Sequence, residues 1–198
     1  NPQKALNKQT KLNDLIAADT NLIKLAGDMV FTEGPVWLPN EDKLVFSDIP
    51  SAKLMEWSEK DGLKIFRNSP NPNGNLLDRE GRLITCRHGA RDIVRTEASG
   101  EITTLCDSFE GKRLNSPNDV AVKSDGTVWF TDPPWGLPGA SEGKEQSGHY
   151  VFRLNPKTKN ITILLEGIMP NGIAFSPDEK QYRRSKKLYK KQNLITIK

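Results

Sequence analysis

Asn118-Asp-Val-Ala-Val-Lys-Ser-Asp125-Gly-Thr-Val-Trp-Phe130 joins two short runs of apolar, β-branched and aromatic residues through an Asp-Gly turn, the pattern of a β-hairpin. The same layout occurs at Glu33-Gly-Pro-Val-Trp-Leu-Pro-Asn-Glu-Asp-Lys-Leu-Val-Phe46, at Asn73-Gly-Asn-Leu-Leu-Asp-Arg-Glu-Gly-Arg-Leu-Ile-Thr85 and at Asn171-Gly-Ile-Ala-Phe-Ser-Pro-Asp-Glu-Lys180. Each copy opens on Glu or Asn, continues through three to five strand-like residues and turns at an acidic residue. That turn comes seven positions on in three copies and nine in the first, and the opening residues lie 40, 45 and 53 apart. Further strands are predicted between the hairpins, over 53–57, 64–67, 92–96, 102–105, 150–154 and 161–165, all rich in β-branched and aromatic residues. Four strands per repeat of this length read as blades of a β-propeller. An antiparallel sandwich is the alternative that short strands leave open, and the common offset of the opening residue favours the propeller.

Outside the repeats, Leu12, Leu15 and Ile16 have helical spacing, which predicts one or two turns of amphipathic helix in an N-terminal segment 1–27. Residues 28–179 are expected to form the propeller and 180–198 a basic tail foreign to the fold. That tail holds eight Lys or Arg and no carboxylate, so the formal +4 of the chain divides into +8 there and −4 over the rest, where 21 basic side chains face 25 acidic ones. A charge confined to one end argues against a nucleic-acid partner. Apolar runs of about four residues are far below the roughly 20 of a membrane span, and no targeting segment is visible. The expectation is a soluble, cytoplasmic chain with no membrane or nucleic-acid partner, its oligomeric state open. Cys86 and Cys106 match no metal-ligand or disulfide pattern and are expected to be buried thiols. The polar stretch 136–148 reads as a loop able to overhang one face.

Blades arranged about an axis bring equivalent positions to one height and radius. Glu33, Asn73, Asn118 and Asn171, each just ahead of an innermost strand, are therefore expected to converge at the mouth of the central channel. One carboxylate with several amide oxygens suits Ca²⁺ or Mg²⁺. The competing reading is that each Asn supports a turn through its own backbone.

Four motifs carry a resemblance: Phe-Thr-Glu33-Gly-Pro-Val-Trp37, Arg-Leu-Asn-Ser-Pro-Asn118-Asp-Val-Ala-Val-Lys-Ser-Asp-Gly126, Phe-Thr-Asp132-Pro-Pro-Trp-Gly136 and Pro-Asn171-Gly-Ile-Ala-Phe-Ser-Pro-Asp178. Residues 12–179 resemble the senescence marker protein, gluconolactonase and luciferin-regenerating enzyme family, in particular its bacterial gluconolactonase-like branch. The resemblance implies an all-β, six-bladed propeller, of which about three and a half blades are present. It also implies a divalent cation, usually Ca²⁺ but in some members Mg²⁺ or Zn²⁺, and hydrolysis of a small lactone or sugar-acid lactone. The family's metal ligands correspond to Glu33, Asn118 and Asn171. Its fourth ligand and usual general base, an Asp of a later blade, has no counterpart, and Ser116 stands where some members carry a substrate-binding Arg. Activity impaired by truncation is therefore expected, and a non-catalytic calcium-binding or partner-binding propeller fragment is the alternative.

The resemblance also bears on the remaining candidates. His88 follows the second hairpin toward the same mouth, where related paraoxonase-like propellers place a His, and with Asp119 it is the catalytic candidate. Asn73, Asn118 and Trp135 are assigned to the substrate. Asp132 occupies a position some relatives use near a metal, against the alternative of strand-end capping. Trp37, Trp57 and Trp129 are expected in the core.

Overall fold

The computed structural model describes residues 23–167, 169–186 and 193–196. The helix expected over 12–18 lies outside these residues. Almost every described element is a strand, as residues bounded by Gly, Asp and Asn turns dictate. The first sheet comprises β1 (Thr32–Leu38), β2 (Lys43–Asp48), β3 (Lys53–Ser58) and β4 (Gly62–Asn68), and the second β5 (Pro72–Leu77), β6 (Leu83–Arg87), β7 (Asp92–Thr96) and β8 (Ile102–Cys106). A two-stranded ribbon follows, β9 (Ser108–Phe109) with β10 (Lys112–Arg113). The third sheet is β11 (Val120–Val122), β12 (Val128–Asp132), β13 (Tyr150–Leu154) and β14 (Ile161–Glu166), and the fourth β15 (Pro170–Phe175), β16 (Gln181–Lys186) and β17 (Asn193–Thr196). Every sheet is an antiparallel meander in sequence order. All six strands predicted between the hairpins are present, and Gln181–Lys186, from the segment assigned to the tail, pairs with β15.

The hairpin turns behave as the Asp-Gly pattern requires. Gly81, Gly126 and Glu179 each follow the acidic turn residue at φ 78°, 82° and 52°, and each N–H donates to the carbonyl three residues back, on Asp78, Lys123 and Ser176. Glu179 then gathers the turns of three sheets. Its carboxylate accepts from Arg79 (2.9 Å), from the Ser124 N–H (2.8 Å) and from the Ser124 hydroxyl (2.5 Å).

Adjacent sheets meet face to face, so each interface has its own core. Val36, Leu38, Val45 and Leu54 of the first sheet pack on Leu83 of the second. Ile84, Cys86 and Ile93 of the second pack on Val120, Val128, Phe130 and Phe152 of the third. The period of two then turns Ala121, Trp129 and Val151 to the opposite face, against Ile173, Phe175 and Tyr182 of the fourth. There Trp129 meets Phe175 and Tyr182 edge to face at 5.0 and 5.3 Å, geometry that adds about 0.5–1.5 kcal/mol per pair to burial. The innermost strands β1, β5, β11 and β15 lie side by side in that order. Successive meanders stacked through both faces, with first strands neighbouring about an axis, make this a propeller-type arrangement and not a two-sheet sandwich.

Trp37 departs from expectation. Val36 and Leu38 are buried against the second sheet, so alternation sends Trp37 to the other face, where it is 48% exposed. No neighbouring sheet covers that face among the described residues. In part the segment 23–29 takes its place, with Ile23, Leu25, Ala26 and Met29 facing Leu44, Phe46 and Trp57 across a groove of roughly 430 Å³. Trp57 is half-buried there and Trp129 is buried. Among the described residues no helix is long and apolar enough to cross a membrane.

Candidate active site

The four opening residues do converge. Glu33, Asn73, Asn118 and Asn171 line one cleft of roughly 220 Å³ at the end of the innermost strands, together with Asn75, Asp119 and the backbone of Gly34, Gly74 and Gly172. Local structure puts them there. The first, second and fourth copies carry a bulge beside the opening residue, between Glu33 and Val36, Pro72 and Asn75, and Pro170 and Ile173. A bulge breaks the ladder and re-aims a side chain.

A sheet-to-sheet bond fixes the backbone of three of the four opening residues. The Asn73 carbonyl accepts from the Ser47 hydroxyl at 2.6 Å and from the Asn75 amide at 2.9 Å. The Asn118 carbonyl accepts from the Gly74 N–H at 2.7 Å, and the Asn171 carbonyl from the Thr131 hydroxyl at 2.6 Å. Turned toward the preceding sheet in this way, the carbonyls leave the side chains at the cleft. Asn75 is a hub that sequence reasoning missed: its amide nitrogen also donates to the Gly34 carbonyl and the Ser47 hydroxyl, and its oxygen accepts from Thr85. The available signal is a second Asn two residues after the opening Asn73, just ahead of Leu76 and Leu77.

His88 is buried behind this cleft. Its Nε2 lies 3.0 Å from Asn73 Nδ2 and 3.5 Å from Asn118 Nδ2. Burial lowers its pKa to about 4, so at neutral pH the ring is uncharged and Nε2 can accept from both amides. Its backbone N–H donates to the Asn71 carbonyl at 2.9 Å, and Gly136 packs on the ring so tightly that a Cβ there would come within 2.6 Å of His88 Cβ and Cγ. Trp135 precedes that glycine, is half-buried and is not among the residues lining this cleft.

Asp119 lines the cleft beside Glu33. Burial raises its pKa; the Ile173 N–H, which donates to Oδ2 at 2.8 Å, opposes this, and the charge of Glu33 adds to it. Asp132 is placed differently. It is fully buried and accepts from the N–H groups of Asn115 and Ser116, both at 2.8 Å, which pins the segment ahead of Asn118. Asp48 does the same two repeats earlier, accepting from Phe31 at 3.0 Å and Val30 at 3.3 Å ahead of Glu33. Strand-end capping thus accounts for Asp132, with burial pushing its carboxyl up to about 7 against those two N–H groups. The 136–148 loop is tied down as well: Arg91 donates to the Gly143 carbonyl, Gln146 to those of Phe109 and Lys112, and Asn115 to that of Gly148.

The donor set at the cleft is oxygen-only. It comprises the carboxylates of Glu33 and Asp119 and the amide oxygens of Asn73, Asn118 and Asn171, while the one imidazole is occupied by amide nitrogens. Among the described residues no three His, Cys, Asp or Glu cluster as a metal site. Such a set fits a hard cation such as Ca²⁺ or Mg²⁺ better than Zn²⁺, and its low negative charge favours weak binding.

Comparison with known proteins places these features in a family. The model of the SMP-30/Gluconolactonase/LRE-like region matches residues 31–182. The chain is 33% identical over 187 residues to a gluconolactonase of Zymomonas mobilis, covering 85% of this chain and 52% of that one. It is 32% identical over 172 residues to a lactonohydrolase of Aspergillus oryzae, covering 75% and 38%. Among solved structures, a gluconolactonase from Xanthomonas campestris superposes with a TM-score of 0.78 at 35% identity, over 84% of this chain and 58% of that one. Regucalcin from Agrobacterium tumefaciens, described as calcium-binding, shares the fold at TM-score 0.66 and 16% identity, over 86% and 55%. The chain spans about half or less of the length of these curated relatives.

Proposed function

The chain belongs to the SMP-30/gluconolactonase/LRE-like family, and on that premise we propose that it carries the cleft of a hydrolase that opens small lactones with the help of a divalent cation. The observation that supports this reading most is the convergence of Glu33, Asn118 and Asn171, three positions from three sheets, on one cleft. These three side chains would hold the cation, with Ca²⁺ the first choice. Bound there, it supplies Lewis acidity toward a carbonyl oxygen.

The chain's own residues supply the rest. Asp119 is the buried carboxylate of the cleft, and with Oδ2 engaged by the Ile173 N–H its Oδ1 takes the proton of the attacking water. The water oxygen bonds to the acyl carbon, the ring C–O bond breaks, and the proton passes to the departing ring oxygen, giving a hydroxy acid. Asn73 lines the cleft and orients the substrate. A cleft of roughly 220 Å³ is below the usual ~300–1,000 Å³ of small-molecule sites, which fits a single small ring.

A second reading, a calcium-binding propeller segment without turnover, draws support from the cleft holding only two carboxylates, one of them half engaged. A pH-stat assay on a panel of five- and six-membered lactones, with and without chelator, separates the two. Chelator-sensitive hydrolysis lost in Asp119→Asn is the expected result. Hydrolysis that is indifferent to chelator and to Glu33→Gln overturns the assignment.

A further inference from the structure

The buried imidazole has the wrong surroundings for a proton acceptor and the right ones for a fixed hydrogen-bond acceptor. We propose that His88 is a positioning residue: by accepting from Asn73 Nδ2 and Asn118 Nδ2 at once, it turns the carbonyl oxygen of each amide away from the ring and so presents both oxygens to the cleft. An asparagine amide is nearly symmetric in shape, and without such a partner it can expose either its oxygen or its nitrogen. Only the oxygen can hold a cation.

The orientation of the ring is itself held from behind. The Ser116 hydroxyl donates to the Pro133 carbonyl at 2.6 Å and accepts from the Gly136 N–H at 2.9 Å. Gly136 lies against His88 Nδ1 and Cγ, and Ser116 is anchored in turn by Asp132 at 2.8 Å. One clamped turn therefore sets one ring, and one ring sets two amides from different sheets. For this to work Nε2 must be the unprotonated nitrogen, so the Nδ1–H tautomer is required.

The inference rests on the reading of the cleft as a cation site, and two measurements on the full chain keep the two apart. Long-range ¹H–¹⁵N correlation of the imidazole reports the tautomer directly, with no cation and no substrate. The Nδ1–H form is expected, and an Nε2–H form overturns the proposal whatever the activity. Titration calorimetry with Ca²⁺ alone then compares wild type with His88→Phe, which keeps a ring against Gly136 and removes the acceptor. Affinity lower by about tenfold or more, with unchanged circular dichroism, is expected. Unchanged affinity in the folded variant overturns the proposal, and if the variant does not fold the tautomer decides. A wild-type chain that binds no Ca²⁺ but shows the Nδ1–H tautomer defeats the cation reading and leaves the amide-orienting role of His88 standing.

Discussion

Replacing Gly34 by Ala should be among the most damaging single-methyl changes available to this chain. Gly34 sits at φ 57°, in the left-handed region, inside the bulge of β1, and its carbonyl accepts from the Asn75 amide. A Cβ there would lie under 3.0 Å from the Asn73 carbonyl oxygen and from the Asn75 backbone and amide nitrogens. The left-handed conformation costs an alanine about 1–2 kcal/mol. Relieving the clash means moving backbone of the neighbouring sheet, an overpacking cost of about 1–3 kcal/mol, and it strains hydrogen bonds worth about 1 kcal/mol each. The total is roughly 3–5 kcal/mol. Gly81 is the internal control: it has φ 78° but nothing within 4 Å of an added Cβ, so Gly81→Ala carries the conformational cost alone. Urea unfolding followed by circular dichroism should show the two variants separated by about 2–3 kcal/mol. At a slope of about 2 kcal/mol/M that is a midpoint difference of roughly 1–1.5 M. If Gly34→Ala is no more destabilising than Gly81→Ala, the tight contact between the first two innermost strands does not exist as described.

Further outcomes follow from other parts of the molecule. Asp132 has its folded pKa raised to about 7 from an ordinary 3.8, so its contribution to stability is complete below about pH 4 and is lost as pH rises through 7. The fall in urea midpoint between pH 5 and pH 8 should therefore shrink in Asp132→Asn, which should also lose about 1–3 kcal/mol by offering one acceptor to two N–H groups. Cys86 is fully buried with its thiol pushed well above the usual range, and burial holds Cys106 at about 11, so a thiol reagent should label neither until denaturant is added. Glu179→Ala should cost about 1 kcal/mol by chemical denaturation, because it removes the bonds that join three turns although water can replace the partner of Ser124, whereas Arg79→Ala, at an exposed ion pair, should cost about 0.5 kcal/mol or less.

The parts of the fold that could be read from sequence are those written in neighbouring residues. Hairpin turns, the strands between them and the convergence of Glu33, Asn73, Asn118 and Asn171 all follow from local pattern plus a repeat, and all are present. What escaped lies between repeats. The hydroxyls of Ser47 and Thr131 hold carbonyls 26 and 40 residues away, and no local pattern distinguishes them from ordinary strand residues. The role of Ser116 escaped for the same reason, since its partners are in the turn at 133–136. Trp37 was misplaced because alternation shows which residues share a face and not which face a neighbouring sheet covers. Side-chain roles at the cleft were the least legible, since the same Asn serves a turn or a ligand according to which end of its amide faces outward.

The carbonyl bonds that link Asn73, Asn118 and Asn171 to the preceding sheet also set an order of events during synthesis. Each meander is built from contacts close in sequence and can form as soon as its residues leave the ribosome, but the cleft needs Asn171, which emerges 138 residues after Glu33. At about 5–20 residues per second the interval is roughly 7–28 s. Over that time Glu33 stands in a cleft that is built in steps, first with Asn73, then with Asn118 and Asp119. The cleft thus waits on the fourth sheet, and a nascent chain halted before Asn171 would already be folded in part yet lack one of the three side chains assigned to the cation.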